Sequence, residues 1–238
     1  MRVQGAKKNP NLTQVSEPAV AVSANENQSK ARIHNVFIVD ASGSMSGGKY
    51  VNAITGLNEL LVSIANDTDS ENTATIVEFE DHNIKTRLDV ATKIPKTYKG
   101  MGTGGMTPLN QAIGETLEYI VKTRKDKYDV SDKILVNVFT DGGENSSQGK
   151  YRNPDNLSSY IKELESQGVT VTFIGTKEEV AYAVQTLSMD ISNTLIHNNT
   201  AADVKRSFDK TILSRQMYSK SVARGEDVSV NFYTKTID

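Results

Sequence analysis

Two short apolar runs, each ending beside an aspartate, constrain this chain most. Val36-Phe37-Ile38-Val39 leads into Asp40, and Ile134-Leu135-Val136-Asn137-Val138-Phe139 leads through Thr140 into Asp141. Both runs are too short and too β-branched for buried helices. They also lack the apolar–polar alternation of a strand with one wet face. Strands apolar on both sides must be covered on both sides, which in practice means a parallel sheet with helices packed above and below.

The intervening pattern supplies those helices. Val51, Ile54, Leu57, Leu61 and Ile64 recur at helical spacing. Thr73–Phe79 reads as a second strand. Ile84–Val90 reads as a third, antiparallel to it across the short turn Asp81-His82-Asn83. Thr107 reads as the N-cap of a helix with Pro108 in first position and Leu109, Ile113, Leu117, Ile120 and Val121 as its stripe. The cationic run Lys122–Lys127 suits that helix's carboxyl end. A helix from Asn153-Pro154 to Gly168 follows, then a strand, Val169–Ile174. Thr176-Lys177-Glu178-Glu179 is a capping box opening a helix to about Leu187. Asn193–Ile196 is a short strand, and Thr200 opens a last helix through about Tyr218. The fold class is therefore α/β: a mostly parallel six-stranded sheet with one antiparallel edge strand and helices on both faces. In such sheets ligands bind outside the carboxyl ends of the strands.

Three segments are expected: a flexible arm over residues 1–30, a folded domain over 31–219 and a tail over 220–238. The arm has Leu12 as its one large core-type residue and cannot offset its ordering entropy. Asp227–Thr236 alternates, with Val228, Val230 and Phe232 on one face, and reads as a strand that adds to a sheet edge or joins a second copy. A net charge of −2 gives no footprint for nucleic acid or an anionic membrane. The absence of cysteine excludes disulfides, thiolate metal sites and thiol catalysis. No apolar run approaches a membrane span and no leader pattern opens the chain, so the expected location is cytoplasmic.

Five residues gather at the carboxyl edge of this sheet. Asp40, Ser42 and Ser44 alternate in the loop after the first strand, Thr107 begins a helix, and Asp141 follows another central strand. Each alone is ordinary: a strand end, two turn serines, a cap, an Asp-Gly turn. Together they offer oxygen donors and nothing softer, which selects Mg²⁺, Mn²⁺ or Ca²⁺ over Zn²⁺ or Cu²⁺.

Competing motifs are weaker. Gly43-Ser44-Met45-Ser46-Gly47-Gly48-Lys49 fits a phosphate-binding G-x-x-x-x-G-K loop, but Tyr50 stands where Ser or Thr would hold the nucleotide's metal. Gly100–Gly105 contains G-x-G-x-x-G, yet Pro95 spoils the preceding strand. That glycine run is better explained as a loop whose backbone passes close to the metal. His34, His82 and His197 have no catalytic spacing, and there is no G-x-S-x-G elbow. Glu78, Glu80 and Asp81 read as a solvated acidic turn.

The segments Phe37-Ile38-Val39-Asp40-Ala41-Ser42-Gly43-Ser44-Met45, Gly105-Met106-Thr107-Pro108-Leu109 and Phe139-Thr140-Asp141-Gly142-Gly143 resemble the von Willebrand factor type A domain family. The D-x-S-x-S, T and D-G elements stand in the family's order, and the resemblance covers about Ile33–Tyr218. It is closest to small stand-alone intracellular members of bacteria and phages. The resemblance implies a Rossmann-like fold and a metal-ion-dependent adhesion site, with Mg²⁺ the usual ion. Ser42, Ser44 and Thr107 would be direct ligands, and Asp40 and Asp141 would act through water or hydrogen bonds. Met106 departs from the small residue often found before the threonine, and Thr103 is a second candidate for that position. Three neutral hydroxyl ligands leave the cation most of its charge, so a carboxylate from a partner protein can complete its shell. The expected function is a metal-dependent protein-binding module with no catalytic residues. The alternative is Mg/Mn-dependent phosphate-ester hydrolysis or nucleotide binding.

Overall fold

The computed structural model describes Met1 and residues 30–81, 83–127 and 132–233. The expected arm falls almost wholly on residues 2–29, outside the described residues. Among the described residues, six strands stand in the order β3-β2-β1-β4-β5-β6. They are β1 (Arg32–Asp40), β2 (Glu71–Glu80), β3 (Asn83–Ala91), β4 (Lys133–Phe139), β5 (Val169–Gly175) and β6 (Thr194–Ile196). All pairs are parallel except β2 with β3, so the antiparallel edge lies where the sequence places it. Successive strands run outward from β1 on both sides, so the strand order reverses between β1 and β4. There Val39 is level with Phe139, which puts Asp40 and Thr140 side by side at the carboxyl edge. That reversal opens a crevice between the loops leaving the two strands.

Among the described residues, five helices cover the sheet: α1 (Gly48–Ala65), α2 (Leu109–Lys127), α3 (Pro154–Ser166), α4 (Lys177–Gln185) and α5 (Ala201–Ala223). Phe37, Val39, Leu135 and Phe139 point to one face and pack with Leu57 and Leu61 of α1 and Phe208 of α5. Val36, Ile38, Val136 and Val138 point to the other, against Ile113 and Leu117 of α2 and Ile161 of α3. This two-sided covering explains why the strands lack polar alternation. The helix after β1 differs from its expected face in one place. Val51 is 61% exposed, while Tyr50 is buried with Ile54, Leu57, Leu61 and Ile64. The stripe is continued by Tyr50 because its phenol has a buried partner, described below.

The tail differs more. α5 continues to Ala223, beyond the expected stop near Tyr218, and residues 227–233 form bends and turns instead of a strand. Asn231 takes a positive φ of 66°, which ends any extended run. Val228, Phe232 and Tyr233 are nevertheless buried in the α1/α5 core, and Val230 faces out. The Asn193 side chain replaces a strand ladder: its amide donates to the Ser229 carbonyl at 2.9 Å and its oxygen accepts from Phe232 N at 3.1 Å. The strand on which pairing with a second copy rested is thus not formed in residues 227–233, and 234–236 lie outside the described residues. Among the described residues, no helix is long and apolar enough to cross a membrane.

Candidate metal centre

Asp40 ends β1 completely buried. Its Oδ1 accepts from Ser42 N at 2.7 Å and its Oδ2 from Thr140 Oγ1 at 2.6 Å. Burial pushes its carboxyl up to about 6, against the lowering effect of those hydrogen bonds and with a further rise from Asp141. Ser42 Oγ lies 2.9 Å from Ser44 Oγ, which in turn donates to Asp141 Oδ1 at 2.8 Å. Gly142 gives the clearest view of how these groups converge. A Cβ there would sit 2.8 Å from Ser44 Oγ, 3.1 Å from Thr107 Oγ1 and 3.7 Å from Asp40 Oδ2. Ser44, Thr107 and Asp40 therefore flank one small space, kept open by the missing side chain, and Ser42 and Asp141 join them through Ser44. Thr103 does not join them; its hydroxyl meets Ser46 Oγ at 3.1 Å on the exposed rim.

Thr107 is not the helix cap that its sequence context predicts. The first helical bond of α2 runs from Ala112 N to the carbonyl of Pro108. The next free amides are served from the loop after β4: Asn110 N donates to Glu144 Oε2 at 2.7 Å and Gln111 N to Ser147 Oγ at 2.9 Å. Thr107 itself is clamped through its backbone, since its N donates to Asn145 Oδ1 at 2.8 Å and its carbonyl accepts from Asn145 N at 3.2 Å. Capping by a distant loop leaves the Thr107 hydroxyl available to the cluster.

The expected acidic turn divides. Glu80 stays near the surface, accepting from Asn83 Nδ2 at 2.6 Å, but Glu78 is fully buried. Its two oxygens accept from Tyr50 at 2.5 Å and Tyr98 at 2.7 Å, with Arg87 Nε 3.5 Å away. Tyr50 Oη also accepts from Met101 N at 2.8 Å and Gly102 N at 3.2 Å. Burial, then the Glu78 carboxylate, pushes both phenols well above their usual range. This network anchors the glycine loop, which closes on the site through Gly104 N to the Ala41 carbonyl (2.9 Å) and Gly43 N to the Gly105 carbonyl (3.1 Å). Gly105, at φ 61°, has no room for a side chain: a Cβ would lie 2.5 Å from that of Asp81. A glutamate between Val77 and Phe79, in the apolar half of β2, was the sequence signal for this network.

The phosphate-loop resemblance fails in detail. Tyr50 is committed to Glu78, and the Lys49 ammonium pairs with Asp141 Oδ2 and donates to Asn199 Oδ1 at 3.0 Å. His34 pairs with Thr73 Oγ1 at 2.6 Å, and His197 stacks on Phe139, so both are structural; His82 lies outside the described residues. Among the described residues, no three His, Cys, Asp or Glu side chains are grouped so that they could hold a metal ion by themselves. The cluster has two carboxylates and three hydroxyls, an all-oxygen donor set that fits a hard divalent cation.

An α/β sheet with this oxygen cluster at its topological switch defines a class of domain, and residues 36–210 match the von Willebrand factor type A domain. The chain belongs to that family. Solved structures share the fold at low identity. The ArnB paralog VWA2 from Sulfolobus acidocaldarius is 20% identical with a TM-score of 0.54, over 77% of this chain and 46% of that one. Proximal thread matrix protein 1 from the mussel byssus, solved with a zinc-occupied metal-ion-dependent adhesion site, is 13% identical with a TM-score of 0.55, over 80% and 46%. The vWF domain of the type V pili tip protein Mfa5 from Porphyromonas gingivalis is 10% identical with a TM-score of 0.60, over 80% and 97%. The chain spans about half the length of the archaeal and mussel proteins. No curated protein matches it.

Proposed function

We propose that this chain is a metal-dependent protein-binding module, not an enzyme, and that it recognises an acidic residue of a partner protein. The convergence of Ser44, Thr107 and Asp40 oxygens on the space beside Gly142 carries this reading. Ser42, Ser44 and Thr107 would hold a divalent cation directly, with Asp40 and Asp141 supporting it through their hydrogen bonds. The cation, Mg²⁺ by the hardness of its donors, would supply a Lewis-acidic position for a carboxylate. The chain's own part is orientation: Thr140 and Ser42 fix Asp40, and Asn145 fixes Thr107. Ser44 lies at the exposed mouth among Gly- and Ser-rich loops, so a partner's side chain meets little obstruction. The metal-occupied site of the mussel relative supports a cation at the corresponding position.

The test has two arms. Calorimetric titration with MgCl₂ and MnCl₂ should give one ion per chain. Excess ion should raise the melting temperature over EDTA, as roughly 1–3 kcal/mol of linkage requires at about 10–100-fold excess over Kd. Pull-down from native extract should then recover a partner in Mg²⁺ and lose it in EDTA. A silent titration with equal melting curves would sink the metal reading, and equal capture in both buffers would place recognition elsewhere.

A further inference from the structure

We propose that Lys49 belongs to the metal centre as a resident counter-cation: its ammonium and a divalent ion compete for Asp141, so Lys49 sets how tightly the site takes metal. The inference rests on the oxygen cluster being a cation site, as argued above, and adds a residue that the cluster's own donor pattern does not include.

Asp141 carries the argument because its two oxygens face different groups. Oδ1 accepts from the Ser44 hydroxyl at 2.8 Å, inside the oxygen cluster, while Oδ2 pairs with Lys49. The Asp141 side chain is fully buried and that of Lys49 only 20% exposed, so little water screens the pair. Lys49 is held from a second direction by Asn199 Oδ1 at 3.0 Å, in the loop between β6 and α5. Its position is thus built from three segments: the second residue of α1, the loop after β4, and the loop before α5.

Two consequences of opposite sign follow. A carboxylate already neutralised by an ammonium lends less of its field to a divalent ion, and the two cations repel across one carboxylate. Lys49 therefore weakens metal binding. Without a divalent ion, the same ammonium compensates the buried Asp141 carboxylate, whose charge would otherwise stand unpaired. Lys49 therefore stabilises the metal-free fold. A lysine serving only as packing would do neither.

Titration with MgCl₂ and MnCl₂ decides the matter, read by calorimetry and by melting in EDTA and in saturating ion. Lys49→Met keeps the aliphatic stem and removes the charge. It should bind Mg²⁺ about tenfold more tightly, melt lower than the parent in EDTA, and melt at or above the parent in saturating Mg²⁺. Asn199→Ala, which loosens the lysine without removing it, should tighten binding a few-fold, and Lys49→Arg should stay near the parent. If Lys49→Met does not fold, Asn199→Ala carries the test. Unchanged or weaker metal affinity in these variants, with the parent binding normally, overturns the role of Lys49 alone. No uptake of either ion by the folded parent and the folded variants overturns the metal reading together with it.

Discussion

A single methyl group at Gly142 would occupy the space on which the site's oxygens converge, within 3.1 Å of both Ser44 Oγ and Thr107 Oγ1. Gly142→Ala should therefore abolish the metal-dependent rise in melting temperature. The fold itself should hold in EDTA, because Ser44 lies at the surface and can turn aside. Thermal melts with and without Mg²⁺ check both halves, and a retained metal shift would place the ion elsewhere. Away from the site, Glu165 offers a pH handle. Burial, then the charge of Asp190, raises its carboxyl to about 7, and its Oε1 is buried without a partner. The folded value exceeds the unfolded one, so ionisation penalises the fold: not below about pH 4.5, increasingly up to about 7, and constantly above. Glu165→Gln should thus stabilise the protein at pH 8 by about 1–2 kcal/mol, after allowance for partial solvation, and leave it unchanged at pH 4. Urea midpoints at the two pH values measure this. Asp40, Ser42, Ser44, Thr107 and Asp141 were legible in the sequence because, ordinary one by one, they fall together at the carboxyl edge of one sheet. Lys49, Tyr50 and Glu78 were not, because each acquires its meaning from segments far away in the chain.

Among the elements, the loop before α2 depends on partners outside itself. Tyr50→Phe would strip one hydrogen bond from buried Glu78 and the acceptor from Met101 N and Gly102 N. Leaving such groups unpaired costs about 1–3 kcal/mol. Amide exchange should quicken across 100–106, and Mg²⁺ affinity should fall as Thr107 loses its fixed position. Normal exchange in that loop would show that Asn58, which pairs twice with the Tyr98 backbone, suffices to hold it. At the other side of Thr107, the cap of α2 predicts a contrast. Glu144→Ala removes the acceptor for Asn110 N and for the Ser146 and Ser147 amides, and should cost about 1–2 kcal/mol in EDTA. Thr107→Ala should cost less there, since its hydroxyl does not cap the helix, yet should be the more damaging to metal binding. Denaturant midpoints and titrations on the pair separate the two roles. A Thr-Pro at a helix start reads as a cap from local sequence alone; that the cap comes from Glu144, 34 residues downstream of Asn110, is a tertiary fact.

For the whole molecule, the continuous apolar runs of the strands and the helical stripes gave the architecture, because layer packing follows from the pattern of apolar residues. The tail escaped that reading. Its alternation suggested a strand, yet Val228, Phe232 and Tyr233 are buried while Val230 is not, a spacing no strand produces. These three residues pack into the core cluster that α5 shares with α1. Phe232 lies 5.8 Å from the Tyr218 ring and 4.8 Å, edge-on, from Tyr233, and Thr170 Oγ1 donates to the Val228 carbonyl at 3.3 Å. Thr170 begins β5, so the tail packs toward the amino ends of the strands, away from Asp40 and Asp141. Stability and site function should therefore separate. Phe232→Ala should cost about 3–5 kcal/mol, the usual loss for a buried aromatic ring, and removal of residues 227–238 should cost more. In both, the part of the melting shift that depends on Mg²⁺ should persist at temperatures where the fold survives, because residues 228–232 are tied to Thr170, Ser192 and Asn193. Parallel melts of the parent, Phe232→Ala and the truncated chain in EDTA and in Mg²⁺ test this. A truncated chain as stable as the parent would return the tail to the surface role its sequence suggested. Loss of the Mg²⁺ shift in the folded Phe232→Ala protein would instead mean that α5 transmits packing to the loop carrying Asn199, and so to Lys49 and Asp141.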